Sequence, residues 1–275
     1  MAGDRPVSRG TAMTLAGPRE VRTALSNRPT AILLKVAGGL ALLALWEIVV
    51  RAFAPAYVAR PTGIARVFFE VLADKEFLAA AGATLWAVVE GLFISIVAGT
   101  LVGTVMGRVA LMEQGLRYYV NSLFATPMVA ILPLVTLWFG YSADARLATV
   151  VFASFFSIVI NTCDGARSVP PDYLEVARAF RARPLSTLFD VLLPSSLPYL
   201  LAGVRLAAGR ALIGAVVSEF FVSIPGLGFY IVYNSRIFKH NEALVAVMVL
   251  VAAGVGFDAL VKWLTRRFMP WGRRS

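Results

Sequence analysis

Six mostly apolar runs organise the 275 residues of this chain. They lie at residues 31–53, 84–106, 118–139, 145–165, 199–221 and 243–264. A helix of about 20 apolar residues crosses the hydrocarbon core of a bilayer, so each run is long enough for a membrane span. The pattern therefore predicts an all-α, polytopic membrane protein with six transmembrane helices.

Two regions modify this picture. The segment between the first two spans contains the stretch 64–72, where we expect a short interfacial helix. The third span contains Pro127 and Pro133, which remove backbone hydrogen bonds, so we expect this span to be kinked or partly unwound. Broken membrane helices often lie beside a transport pathway, which makes both prolines candidate pathway residues.

The interval 170–198 is polar and charged, unlike the rest of the second half of the chain. A Pro-Pro pair stops the preceding helix, and the spacing of Asp172 and Glu175 predicts a capping box that starts a helix near Tyr173. Its apolar stripe consists of Tyr173, Val176, Ala177 and Phe180, and Glu175, Arg178 and Arg181 lie off that stripe.

A second apolar stripe follows Pro184, which should end the first helix. It consists of Leu185, Leu188, Phe189 and Leu192, and Pro194 and Pro198 should close it. The interval therefore predicts two short amphipathic helices. Periodicity leaves two interpretations open, since such helices either lie on lipid or face another protein.

Composition supports membrane insertion and argues against metal chemistry. Hydrophobic residues make up 59% of the chain and charged residues 15%, against roughly 25% charged in soluble proteins. Cys163 is the single cysteine, which excludes an internal disulfide, and His240 is the single histidine, which leaves no histidine pair for zinc. We therefore predict no metal site and no catalytic site.

The net charge of +10 is distributed unevenly. If both termini are inside, the cytoplasmic segments hold sixteen Lys and Arg residues and the outside segments with adjoining span ends hold seven. Basic residues favour the cytoplasmic side, so we predict a bacterial inner-membrane protein with both termini in the cytoplasm. We expect its surplus of basic residues to interact with anionic lipid and not with nucleic acid. The predicted organisation is a tail at 1–29, a membrane domain at 30–270 with the cytoplasmic loop 170–198, and a cytoplasmic end at 271–275. Cleavage of a signal peptide near residues 52–54 is the less favoured alternative, because the first run has spanning length.

Several ionisable residues fall inside the predicted spans, where charge is costly and calls for a partner or a function. Glu90 lies in the second span, and Arg210 and Glu219 lie in the fifth. For Arg210, a buried ion pair with Glu90 or Glu219 is slightly favoured over direct contact with a solute. The other charges have simpler interpretations: Glu47 pairs with Arg51, Asp258 pairs with Lys262, and Arg205 extends towards the membrane surface.

The chain contains no Gly-Lys dipeptide, and therefore no phosphate loop of the G-x4-G-K type. If ATP hydrolysis drives this protein, a separate subunit must therefore carry it out. The segment 226–228 is too short for a phosphate loop and predicts a re-entrant turn at the outer mouth. An ion-coupled secondary transporter, with Glu90, Glu219 and Asp258 as proton or sodium sites, is an alternative to a transporter that ATP hydrolysis drives. A membrane-embedded hydrolase is a weak hypothesis. A serine nucleophile needs a base, and His240 lies outside the predicted membrane core with no neighbouring residues in the sequence that support such a role.

The interval 170–198 resembles the cytoplasmic loop of permease subunits of bacterial ATP-binding-cassette (ABC) importers. Glu175, Ala177, Leu193 and Pro194 stand at the motif offsets, and Val191 conservatively replaces an isoleucine. Val176 replaces the second motif residue. Arg181 stands in place of the motif glycine, which removes the basis for predicting a tight glycine turn there.

Further segments resemble the sulfonate, taurine and nitrate branch of these permeases, and a related group moves vitamin precursors. They are the pair at 46–47 and the runs at 132–140, 218–228 and 270–271. The resemblance implies a type I ABC importer fold and a complex of two permease subunits, expected to be a homodimer, two ATPases that bind ATP and Mg, and an external solute-binding protein. This chain itself is expected to bind no cofactor and to be no enzyme.

Two groups of candidate functional residues follow, the first from the resemblance and the second from the prolines and ionisable residues inside the predicted spans. Those expected to dock the ATPase are Tyr173, Glu175, Val176, Ala177, Arg178, Phe180, Arg181 and Pro194. Those expected along the substrate pathway are Arg210, Glu219, Glu90, Pro127 and Pro133. The identity of the solute does not follow from the residues, although a small anion such as a sulfonate, taurine or nitrate is favoured.

Overall fold

A computed structural model describes residues 28–55, 57–183 and 186–268 of the chain. Within these residues the regular structure is helical, without strands. The helices are α1 (Arg28–Phe53), α2 (Pro61–Ala73), α3 (Lys75–Arg108), α4 (Ala110–Ala125), α5 (Met128–Phe139), α6 (Ala143–Arg167), α7 (Pro171–Ala179), the π-helical turn Thr187–Leu192, α8 (Leu193–Val222), α9 (Leu227–Arg236) and α10 (His240–Phe268). Apart from residues 28 and 29, the predicted tail and the segment 271–275 lie outside the described residues.

The chain divides into two compact units between residues 56 and 57. In the first unit, α1 is an apolar helix, and no side chain from Ile32 to Phe53 is buried. The predicted pair between Glu47 and Arg51 is confirmed, with 2.6 Å between Oε1 and Nε. The second unit contains the helices from α2 onwards.

Five helical segments in the described residues are long and apolar enough to cross a membrane, and α4 with α5 makes a sixth if this bent pair counts as one span. The two helices of the pair meet at 100° across Thr126 and Pro127. The predicted kink at Pro127 is therefore confirmed. Pro133 behaves differently, because it lies inside α5 without ending the helix.

Small residues on α3 allow it to pack closely against α6. Every fourth position from residue 91 to residue 107 is glycine or serine. A Cβ atom at Gly103 would lie 2.6 Å from the Val159 carbonyl oxygen, so only glycine fits there. Ser95 and Ser154 form a 2.7 Å hydrogen bond across the same interface. Close backbone approach of this kind drives helix association in lipid, where hydrophobic burial contributes little.

Helix α8 packs against the opposite side of α6. Ala207, Ala211 and Ala215 are fully buried in a core with Val150 and Ile158 of α6. The small residues in the fifth predicted span thus allow the close packing that the sequence suggested, and α6 lies between α3 and α8 as the centre of the bundle.

Three other helices form a separate cluster around the start of α3. The helix predicted at 64–72 is confirmed as α2, and its Ile64 and Val71 are buried. They belong to a core that also includes Phe77, Leu227 and Val245. Because Leu227 is the first residue of α9, this core holds α9 beside the ends of α2 and α3.

The loop after α6 differs from the prediction in two respects. Helix α7 begins at Pro171 with Pro170 as its N-cap, and no side chain forms a capping hydrogen bond. The predicted capping box of Asp172 and Glu175 is therefore wrong. A proline in the first turn lacks an N–H that needs a cap, which reduces the role of a capping side chain.

The prediction of a second short helix is also wrong, because the helix does not end at Pro194 or Pro198. The helical segment runs without a break from Thr187 through both prolines to Val222. Its first residues form a π-helix, in which the N–H of Leu193 donates to the carbonyl of Leu188. The wider turn admits Pro194, which has no N–H to donate, into the helix.

Candidate functional sites

Helix α7 presents an apolar face that no described residue covers. Phe180 is 83% exposed, Tyr173 is 56% exposed and Val176 is 55% exposed. The helix packs on the chain through Leu174, which joins a small core with Val169. Large apolar side chains grouped on one exposed helix face are typical of a protein or membrane contact.

The structure separates Ala177 from this exposed face. Ala177 is 9% exposed and turns towards the chain, one helical turn after the buried Leu174. Glu175, Arg178 and Pro194 are exposed, and neither Glu175 nor Arg178 forms an ion pair within the described ranges. Both charges therefore remain available to a partner.

Arg181 makes the tight turn that the missing glycine had argued against. Its φ of 50° lies in the left-handed region, which is costly for a residue with a Cβ atom. The turn is closed by the N–H of Ala182, which donates to the carbonyl of Ala177 at 2.9 Å. A Schellman-type helix end has two characteristic hydrogen bonds, and this is the one that joins residues five apart in the chain. Arg181 thus adopts a left-handed conformation that a glycine would adopt freely, and a residue with a Cβ atom does so at a conformational cost.

Arg210 and Pro127, two of the predicted pathway residues, meet in one cavity of about 410 Å³. The cavity lies where α4 breaks from α5, and Phe152, Phe156 and Ile213 supply apolar walls. The guanidinium carbon of Arg210 lies 3.8 Å from the centre of the Phe124 ring. Its Nη1 donates to the Phe124 carbonyl at 3.3 Å. These contacts hold the cation at the cavity wall.

Arg210 does not form the predicted ion pair with Glu90 or Glu219 among the residues that the structure describes. Glu90 is exposed on α3, and Arg210 forms no ion pair with a described residue. Glu219 is already engaged elsewhere. Pro133 is exposed on α5 and is not among the residues that line the Arg210 cavity.

Glu219 is completely buried and binds groups from three other helices. Its Oε1 accepts from the Thr84 hydroxyl at 2.8 Å and from Arg146 Nη1 at 3.1 Å. Its Oε2 accepts from the backbone N–H of Gly228 at 2.8 Å, in the first turn of α9. The carboxylate thus lies at a helix N-terminus, where the helix dipole favours negative charge.

Two further hydrogen bonds complete this buried network. The N–H of Leu227 donates to the Thr84 hydroxyl at 2.8 Å, and Arg146 Nη1 donates to the Pro225 carbonyl at 2.9 Å. The segment 226–228 therefore does not form a phosphate loop but binds a carboxylate of the chain itself. Nothing in the sequence pattern distinguished Arg146 and Thr84, since Arg146 counts only as one of the seven Lys and Arg residues of the outside segments and adjoining span ends.

A second group of charges lies on α8 and α10. The predicted pair of Asp258 with Lys262 is confirmed at 2.6 Å, and Asp258 also binds Arg205 at 2.5 Å. Arg205 is therefore ion-paired, whereas the sequence suggested that it only extends towards the surface. The side chains of Arg205 and Lys262 are still about half exposed, at 53% and 50%.

Comparisons with known proteins agree on the class of this fold. The family described as "binding-protein-dependent transport system inner membrane component" matches residues 91–270. A chain of an inward-facing methionine ABC transporter superposes with a TM-score of 0.57 at 20% identity, covering 69% of this chain and 96% of that one. At this identity the likeness shows the fold alone.

Three relatives carry names of different solutes. A formylaminopyrimidine transport permease protein of Halalkalibacterium halodurans is 30% identical over 86% of this chain and 94% of its own length. A Bacillus subtilis (strain 168) permease named for aliphatic sulfonates is 26% identical over 84% of each chain. A nitrate import permease protein of Leptolyngbya laminosa is 30% identical over 68% of this chain and 67% of its own length.

The helical fold, the loop motif and these matches lead to one conclusion. This chain belongs to the family of binding-protein-dependent transport system inner membrane components, and it is a multi-pass permease subunit of an ABC importer, not itself an enzyme.

Proposed function

We propose that this permease subunit imports a small anion, or a zwitterion with an anionic group, and that the solute passes through the Arg210 cavity. The observation that carries the proposal is the cation itself. Arg210 lines an apolar cavity and has no carboxylate partner among the described residues. A guanidinium in a site of low dielectric strongly favours an anionic ligand, and it binds sulfonate or carboxylate oxygens through charge-assisted hydrogen bonds.

The broken third span strengthens the site. Helix α5 begins at Met128, and both Met128 and the preceding Pro127 line the cavity. The N-terminus of a helix carries a partial positive charge, and transporters place such half-helix ends against anionic groups of their substrates. The sulfonate and nitrate names of two relatives support the same solute class.

The test uses the complete transporter in vesicles, with uptake and ATP hydrolysis measured together. Replacing Arg210 with Gln should reduce uptake about tenfold or more, because it removes a charge-assisted hydrogen bond. Arg210→Lys should retain part of the activity, and Arg236→Gln on α9 serves as the control outside the cavity. Wild-type uptake by Arg210→Gln, or an equal loss of yield and uptake, would contradict a role in solute passage.

A vitamin precursor is the second candidate. The formylaminopyrimidine permease matches a larger share of this chain than the nitrate permease does. The aromatic side chains in the cavity wall are suited to a heteroaromatic ring. A binding scan of the partner solute-binding protein against anions, vitamin precursors and metals distinguishes the candidates, and a neutral precursor as the tightest ligand would defeat the anion proposal.

Energy would reach the permease through α7. Its exposed apolar face fits a groove on a cytoplasmic ATPase, with Glu175, Arg178 and Arg181 setting the register by charge. In the proposed complex, two copies of this chain bind two ATPases, which hold ATP and Mg, and one external solute-binding protein. Closure of the ATPases would then move the helices between outward and inward access.

This arrangement requires loop 170–198 to face the cytoplasm, with both termini on the same side of the bacterial inner membrane. Reporter fusions at 60–75 and at 175–190 should therefore report opposite faces, and activity on the same face would contradict the topology. An ion-coupled mechanism is less favoured, because Glu219 and Asp258 are already ion-paired. Uptake should accordingly require ATP and survive collapse of the ion gradients.

A further inference from the structure

A second groove, of about 740 Å³, lies between α8 and α10. Its charged residues follow one another along α10, where Asp258, Lys262 and Arg266 are spaced by four residues and so lie on one face. Arg205 joins them from α8. The groove therefore contains three cations and one carboxylate, and it shares no lining residue with the Arg210 cavity.

The carboxylate cannot neutralise all three cations. Asp258 uses Oδ1 for Arg205 and Oδ2 for Lys262, so both of its oxygens are occupied. Arg266 is exposed and forms no ion pair with any residue that the structure describes. A formal charge of about +2 remains at this end of the groove, since three cations face one anion.

The rest of the groove is apolar. Leu201 and Leu206 of α8 and Val261 of α10 line it, and Leu206 is 56% exposed. Both helices have the length and composition of membrane spans. Along α10, Arg266 is about 3 Å and Lys262 about 9 Å from Phe268, the last described residue, at 1.5 Å per residue. Lys262 and Arg266 thus lie in the last two turns of α10, where we expect the span to leave the hydrocarbon core and reach the lipid headgroups.

We propose that this groove binds an anionic phospholipid, with its phosphate between Lys262 and Arg266 and an acyl chain along Leu206 and Val261. Basic pockets between membrane helices attract acidic headgroups, and the apolar wall below them matches a hydrocarbon chain. A small free anion fits less well, because it has no hydrocarbon part to cover the apolar wall that Leu201, Leu206 and Val261 form. The assignment is independent of the solute that the importer carries.

The test counts the lipids that stay bound to the purified full-length permease. Native mass spectrometry would compare phosphatidylglycerol with phosphatidylcholine for the wild type, Arg266→Gln and Arg267→Gln. Arg267 has the same charge and nearly the same depth but does not line the groove. We expect Arg266→Gln to lower phosphatidylglycerol retention about fivefold, the effect typical of one cation near a membrane surface. Arg267→Gln and Arg266→Lys should retain it.

Three results would overturn the proposal. Equal loss in Arg266→Gln and Arg267→Gln would indicate attraction by general surface charge. Displacement of phosphatidylglycerol by inorganic phosphate would indicate a site for a free anion and not for a lipid. Cross-linking of two copies through a cysteine introduced at Leu206 would show that a second copy of the chain covers the groove. Unchanged thermal unfolding of Arg266→Gln would show that any loss of lipid is not a loss of fold.

Discussion

The guanidinium of Arg146 lies 3.1 Å from the carboxylate of Glu219, which follows it by 73 residues in the chain. Both side chains are buried, and the pair joins α6 to α8. Thr84 adds α3 to the same carboxylate, and Gly228 adds α9. One buried anion therefore fastens four helices at the end of the bundle where α9 begins.

Removal of one partner should be far more damaging here than at an exposed pair. Arg146→Ala should reduce the free energy of unfolding by about 3–5 kcal/mol, because it leaves the Glu219 carboxylate buried without its counter-charge. Arg167→Ala, which breaks an exposed pair with Glu113, should cost about 0–1 kcal/mol. Denaturant unfolding in mixed micelles measures both, and equal losses would contradict the proposed importance of the buried network.

Gly103 offers a test of the close packing between α3 and α6. Gly103→Ala should destabilise the bundle, because its Cβ would lie 2.6 Å from a carbonyl oxygen of α6. The control is Gly82→Ala on the same helix, where no atom lies within 4 Å of the added Cβ. The control should be neutral or stabilise by up to about 1 kcal/mol, because alanine favours helix. Thermal unfolding separates the two, and equal shifts would rule out a steric cause.

Adjacent residues on α7 distinguish docking from folding of the loop. Val176→Asp, on the exposed face, should abolish co-purification of the ATPase while the permease alone unfolds at its normal temperature. Glu175→Lys should weaken coupling of ATP hydrolysis to uptake in the same way. Ala177→Asp should instead destabilise the loop, because Ala177 is buried. Limited proteolysis of the isolated permease monitors the loop, and normal ATPase binding by Val176→Asp would contradict docking through this face.

The left-handed backbone at Arg181 predicts a stabilising substitution. Arg181→Gly should stabilise the loop by about 1 kcal/mol, since a residue with a Cβ atom costs roughly 1–2 kcal/mol in this region and glycine adopts it freely. Ala182→Gly should not stabilise, because Ala182 is not among the residues with positive φ. Resistance of the loop to proteolysis measures the difference. If Arg181→Gly is stabilised but loses ATPase binding, the side chain itself contributes to docking.

Several features that depend on a single helix, although not the capping box of Asp172 and Glu175, were predicted correctly from the sequence. Apolar runs of spanning length indicate membrane helices, because the requirement for apolar side chains comes from the bilayer and not from the other helices. The pairs of Glu47 with Arg51 and Asp258 with Lys262 are confirmed for a similar reason, since helix geometry alone brings residues four apart together. The break at Pro127 follows from a hydrogen bond that proline cannot make.

Features that depend on which helices are neighbours were decided by the tertiary structure alone. Periodicity shows which face of a helix is apolar, but it does not show which helix lies opposite that face. The sequence therefore offered Arg210 as an ion-pair partner for Glu90 or Glu219 and did not single out Arg146. The packing of α6 against α8 brings Arg146, and not Arg210, to Glu219. The path of the backbone at Arg181 and through Pro194 was not evident from the sequence either, because a left-handed residue with a Cβ atom and a proline within a helix are both locally disfavoured.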